Sequence, residues 1–105
     1  MLFLVIQKMK PGVVFTPEML DLNLASFEIF KDLEKKGIIK SMFGFADNTG
    51  GCGIVDVQSA DQLFQMLATL PNSGLVDHEV YPLVTIDVVA ETMQKIKEKM
   101  AEMKK

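Results

Sequence analysis

Leu2-Phe3-Leu4-Val5-Ile6-Gln7-Lys8-Met9 opens the chain with a run of β-branched and large apolar side chains, and Lys10-Pro11-Gly12 closes it. An apolar run of this length that ends on a turn pair reads as a β-strand. A strand with one wet face alternates apolar with polar residues. Here Leu2, Leu4 and Ile6 fall on one side and Phe3, Val5 and Met9 on the other, so both sides are largely apolar. The sheet that receives this strand is therefore expected to be covered on both faces.

Moving outward, Thr16-Pro17-Glu18-Met19 carries the signals of a helix start. Threonine caps free amides, proline is tolerated at the first helical position, and glutamate suits the positive end of the helix dipole. Lys35-Lys36 and Gly37 mark the stop, which predicts a helix from Thr16 to Lys36. Ile38 to Ala46 and Cys52 to Val57 read as strands joined by Asp47-Asn48-Thr49-Gly50-Gly51, a connection of hairpin length. The second strand is also two-sided, with Ile38 and Met42 set against Ile39, Phe43 and Phe45. Ser59-Ala60-Asp61-Gln62 starts a second helix, Leu63, Phe64, Met66, Leu67 and Leu70 follow at helical spacing, and Pro71-Asn72-Ser73-Gly74 ends it. Val76 to Val89 is strand-like, with Pro82 marking an edge, a bend or a strand end, and Ala90 to Lys105 is a lysine- and glutamate-rich helix.

The order βαββαβ predicts an α+β, ferredoxin-like domain over residues 1–89, with a four-stranded antiparallel sheet, followed by an amphipathic C-terminal helix over 90–105. Two helices cover one sheet face, and no residues remain for the other. A second copy of the same sheet is the simplest cover, giving a dimeric α+β barrel. The last helix spaces Met93, Ile96, Met100 and Met103 by three and four residues, a stripe expected to add to a contact between subunits.

Composition narrows the function. At 105 residues the chain holds one core. Its net charge of −3, with no basic block before the last dozen residues, argues against nucleic acid. A single cysteine builds neither a disulfide framework nor a multi-cysteine metal site within one chain, so no metal is expected and the reducing cytoplasm is the expected location. Leu2 to Ile6 is far shorter than a signal sequence, and nothing approaches the roughly 18 consecutive apolar residues of a membrane span, so no membrane partner is expected. Gly50-Gly51-Cys52-Gly53 lacks the spacing of a phosphate loop and leads into a strand, and no other cofactor motif is present.

Three places could carry chemistry. On a wheel of the first helix, Met19, Leu20, Leu24, Phe27, Phe30 and Leu33 form a broad apolar arc, and Asn23 and Ser26 fall inside it. These two are either core polar groups satisfied by neighbours or the wall of a ligand pocket between helix and sheet. His78, the one histidine, is the only side chain whose ordinary pKa suits a proton shuttle near neutrality. Strand alternation throws Asp77 and Glu79 onto the opposite face, so no triad forms within that strand, and a structural histidine is the competing reading. Cys52 begins a strand between small residues, either as a buried thiol or as a nucleophile in want of a base.

With these elements placed, the chain resembles the muconolactone isomerase family over about residues 1 to 85. The likeness rests on Met1-Leu2-Phe3, on Lys36-Gly37 after the first helix, and on Ile54-Val55-Asp56-Val57-Gln58-Ser59 leading into the second. It continues through Leu67-Ala68-Thr69-Leu70-Pro71 and through Asp77-His78-Glu79-Val80 with Pro82-Leu83. The resemblance implies a cofactor-independent isomerase that moves a double bond in a small lactone or related organic acid by removing and returning a proton, and that assembles as a homodimer or larger ring. Lys40 resembles a basic residue of the family near the start of the second strand. The expected site is His78 as acid or base, with Asn23, Ser26, Phe27, Lys40 and Cys52 around the substrate. Because residues 23–27 carry no charge where the family does, the alternative is a non-catalytic small-molecule-binding or assembly module on the same scaffold.

Overall fold

In the computed structural model, which describes residues 1–104, the first strand, β1 (Leu2–Met9), lies inside the sheet and pairs antiparallel with a strand on either side. Helix α1 (Pro17–Lys35) follows, capped as its sequence requires. The Thr16 hydroxyl accepts from the Met19 amide at 3.1 Å, and Gly37 takes the left-handed conformation, φ +78°, that ends the helix. Next come β2 (Ile39–Gly44), β3 (Gly50–Asp56), α2 (Ala60–Ala68), a single 3-10 turn (Ser73–Leu75), β4 (Val76–Leu83) and α3 (Ile86–Met103). The strand order is β2-β3-β1-β4 with every neighbouring pair antiparallel, which is the ferredoxin-like α+β arrangement. Pro82, which has no amide proton to donate, sits on the edge strand β4.

Phe3 and Val5 of β1, Ile39 of β2, Val55 at the end of β3, and Val57 and Leu63 beyond it form the buried core beneath α1 and α2. Each such side chain contributes about 1.5–3 kcal/mol on leaving water. The opposite parity of β1, Leu2, Leu4 and Ile6, lies on the sheet face that no helix of the chain covers.

Three local expectations change. A β-bulge between Ile39 and Ser41 leaves Lys40 without a strand partner and resets the alternation, so Met42 joins Ile39 at the core while Phe43 turns to the open face, 69% exposed. Helix α1 buries the stripe Met19, Asn23 and Ser26, continued by Phe30 and Leu33, and leaves Leu20, Leu24 and Phe27 on its outer side. The apolar arc of that helix is broad enough to supply two faces. Finally, β4 stops at Leu83, and α3 begins at Ile86 rather than at Ala90. The β-branched run Val84–Val89 looks like strand, but the Thr85 hydroxyl accepts from the Val88 amide and Asp87 occupies the first turn, so capping decides the outcome. Lys105, the last residue of the expected 90–105 helix, lies outside the described residues.

Candidate functional site

Between the sheet and the two helices lies a cavity of about 210 Å³. Its floor is β-sheet, and the sequence opens it there. Gly51 and Gly53 stand opposite Gln7 and Val5 of β1, on the face that holds Val55, and bring no side chain to that floor. Ile29, Phe30 and Leu33 of α1 and Leu63, Met66 and Leu67 of α2 close the apolar walls.

Polar groups are few, and two of them meet. Gln7 and His78 are directly opposed in the β1–β4 register, and the Gln7 Nε2 lies 3.1 Å from the His78 Nε2. Opposed residues of an antiparallel pair point to the same face, here the helix-covered one. Partial burial of the imidazole pushes its pKa below the ordinary value, and the nearby Asp77 carboxylate opposes that shift without reversing it. The neutral ring is favoured, as a proton acceptor at neutral pH requires. The hydrogen bond also sets the tautomer. With its amide nitrogen toward the ring Gln7 donates to Nε2 and the ring proton sits on Nδ1; with the amide turned over, Oε1 accepts from Nε2–H and the Nδ1 lone pair is free. His78 also borders a second groove, about 360 Å³, beside Phe64 of α2 and Val80 of β4, so it stands between the cavity and the edge of the domain.

The other expected site residues are distributed differently. Cys52 borders the same cavity, but it is opposed to Ile6 and Phe43, so its side chain belongs to the open sheet face and its backbone faces the cavity. Asn23 and Ser26 are buried in a separate polar knot with Asn72. The Asn72 amide nitrogen of the backbone donates to the Ser26 hydroxyl at 3.1 Å, and its side-chain Nδ2 donates to Asn23 Oδ1 at 3.0 Å. This knot pins the segment after α2 against α1. Phe27 is exposed on the outer side of α1, and Lys40 is exposed at the bulge. His78 alone of the six therefore brings its side chain to the cavity, and its partner Gln7 was not among them. The sign of Gln7 in the sequence is its place as the first polar residue in an otherwise apolar strand. Among the described residues no group of three or more His, Cys, Asp and Glu side chains comes together, and no helix is long and apolar enough to cross a membrane.

A family model described as muconolactone delta-isomerase matches residues 1–87. The chain belongs to the muconolactone delta-isomerase family. The crystal structure of a muconolactone isomerase is similar, with 27% identity, a TM-score of 0.71, and coverage of 81% of this chain and 90% of that one. A 5-chloro-2-hydroxyhydroquinone dehydrochlorinase from Burkholderia phenoliruptrix AC1100, solved with 2,5-dihydroxybenzoquinone, shares the fold at 23% identity and a TM-score of 0.56, over 80% of this chain and 94% of that one. No curated protein sequence matches. The family match ends as α3 begins, so the muconolactone delta-isomerase scaffold comprises the sheet, α1 and α2, and α3 lies almost wholly beyond it.

Proposed function

We propose that the chain is a cofactor-independent isomerase that shifts a double bond in a small lactone or related organic acid by proton transfer at His78. The observation that carries this reading is the Gln7–His78 pair, held at 3.1 Å on the wall of an otherwise apolar cavity. A neutral imidazole removes a proton from a carbon next to a carbonyl, the electron pair moves toward the carbonyl oxygen, and the imidazolium, whose N–H exchanges with water, returns a proton at a different carbon. Nothing is oxidised and no group leaves. With the Gln7 amide turned so that its Oε1 accepts from Nε2–H, the ring presents a free Nδ1 lone pair as the base and the Gln7 amide nitrogen is left to donate to the oxygen that gains charge. Among the described residues His78 is the one ionisable side chain that reaches this cavity, so an uncharged ring suits its interior better than a carboxylate, which would lie toward the mouth.

Self-association belongs to the same reading. Phe43 and Tyr81 are 69% and 48% exposed on the open face of the sheet, beside Leu4, Ile6 and Ile54, and a second copy of this face is the surface that suits it.

The second reading, a binding or assembly module without turnover, draws on the absence of any carboxylate or lysine from the residues lining the cavity. Incubating the protein with a panel of unsaturated five- and six-membered lactones and small enone acids, with isomerisation followed by NMR, decides between them. Isomerisation of at least one member supports the enzyme. Saturable binding of a panel member with no turnover across the whole panel supports the module.

A further inference from the structure

Helix α3 has no buried residue and packs substantially against no element of its own domain, and the molecule measures 68 Å along its long axis against 31 and 24 Å across. Most helical stability in proteins comes from packing an amphipathic face rather than from propensity, so this 18-residue amphipathic helix calls for a partner. Its apolar residues define the kind of partner. Ile86, Val89, Met93, Ile96, Met100 and Met103 follow one another at steps of three and four, the straight seam of a helix that packs along a second helix. The positions beside that seam are Ala90, Thr92, Lys97, Lys99 and Lys104, neutral at first and wholly basic in the second half, while Glu91 and Glu98 point the other way. Pairing α3 with a second α3 in the parallel sense would set lysine against lysine, and in the antiparallel sense would leave Lys97, Lys99 and Lys104 facing the neutral Ala90 and Thr92 with no acidic partner.

Helix α1 offers the complement. Its outer side carries Leu20, Leu24 and Phe27 at the same helical spacing, 45%, 59% and 47% exposed, and the exposed Phe15 continues the stripe past its N-terminus. Asp21 and Glu28 edge this stripe, and α1 has no basic residue before Lys31. The two helices are nearly equal in length, 19 and 18 residues.

We propose that α3 is an assembly arm that lies antiparallel along the outer face of α1 of a second copy of this chain. The antiparallel sense follows from charge, because it sets Lys97, Lys99 and Lys104 over Glu18 and Asp21, where α1 has no base, whereas the parallel sense sets them over the mixed run Lys31, Asp32, Glu34 and Lys35. Met100 and Met103 then meet Phe15 and Leu20, and Met93 and Ile96 meet Leu24 and Phe27. This contact uses neither the open sheet face nor the cavity, so it stands or falls apart from the sheet pairing and the isomerase reading.

The test compares the mass of the full chain at micromolar concentration, by sedimentation equilibrium, across charge-swapped variants. Lys97→Glu/Lys99→Glu/Lys104→Glu lowers the mass of the largest species at least two-fold, Asp21→Lys/Glu28→Lys does the same, and combining the two sets restores it. Ile96→Asp, at an exposed seam position that leaves the folded domain untouched, also lowers it. An unchanged mass in the lysine variant, or a wild-type chain that is monomeric, overturns the proposal. A loss that the α1 reversal fails to restore removes α1 as the occupant and points to another surface, such as the groove beside Phe64.

Discussion

Gln7 and His78 face one another across β1 and β4, with their Nε2 atoms 3.1 Å apart, and among the described residues this is the one hydrogen bond between two side chains on the cavity wall. Its geometry predicts how the site titrates. Burial lowers the His78 pKa, so the folded protein disfavours the charged ring. The ring signals in an NMR titration should therefore show a midpoint below the ordinary imidazole value of about 6.5. The sign for stability follows. The unfolded chain takes up this proton at higher pH than the folded one, so the contribution of His78 is full above about pH 6.5 and declines as pH falls toward the folded pKa. Denaturant midpoints measured from pH 7.5 down to 5 should fall for the wild type, and His78→Gln should flatten that part of the decline.

Replacing Gln7 with leucine keeps the size of the side chain and removes the hydrogen bond that selects the tautomer. The expected outcome is a His78 ring that samples both tautomers, visible in its nitrogen chemical shifts, with the fold intact by circular dichroism. A tautomer population identical to that of the wild type would show that Gln7 does not position the ring.

The buried knot of Asn72, Asn23 and Ser26 predicts a stability loss unrelated to the cavity. Asn72 is 1% exposed, its Oδ1 already lacks a protein partner, and its Nδ2 is satisfied only by Asn23. Asn23→Leu strands that donor as well and should destabilise the protein by about 1–3 kcal/mol in chemical denaturation.

At Gly51, a Cβ would stand 2.5 Å from the Phe43 carbonyl oxygen, a backbone atom that has little room to yield. Gly51→Ala is expected to lower stability by about 1–3 kcal/mol and to distort the β2–β3 hairpin that forms the cavity floor. At Gly44, where nothing lies within 4 Å of an added Cβ, the same substitution should be tolerated far better.

Much of the fold was legible because its signals are local. The two-sided run Leu2–Met9, the Thr16 cap and the Gly37 stop each state one element without reference to the rest of the chain. Which side of α1 faces inward was not local. Leu20, Leu24 and Phe27 compete with Met19, Phe30 and Leu33 for the core on hydrophobicity alone, and it is the Asn72 contacts with Asn23 and Ser26, reaching across 49 and 46 residues, that mark the inner side. The bulge at Lys40 hid the facing of Phe43 in the same way, since one extra residue reverses every position after it. At the site, His78 was singled out by its chemistry, but its partner was not, because the opposition of Gln7 and His78 depends on a register between strands 71 residues apart.

Solvent exchange at carbon tests the central claim most directly. A panel lactone incubated in D₂O with wild-type protein should take up deuterium at the carbons flanking its shifting double bond, and His78→Ala should slow that uptake by about 10²- to 10⁴-fold, the usual range for a positioned acid–base group. Equal uptake with wild type and His78→Ala, or binding of the lactone with no uptake above the protein-free rate, would contradict the account.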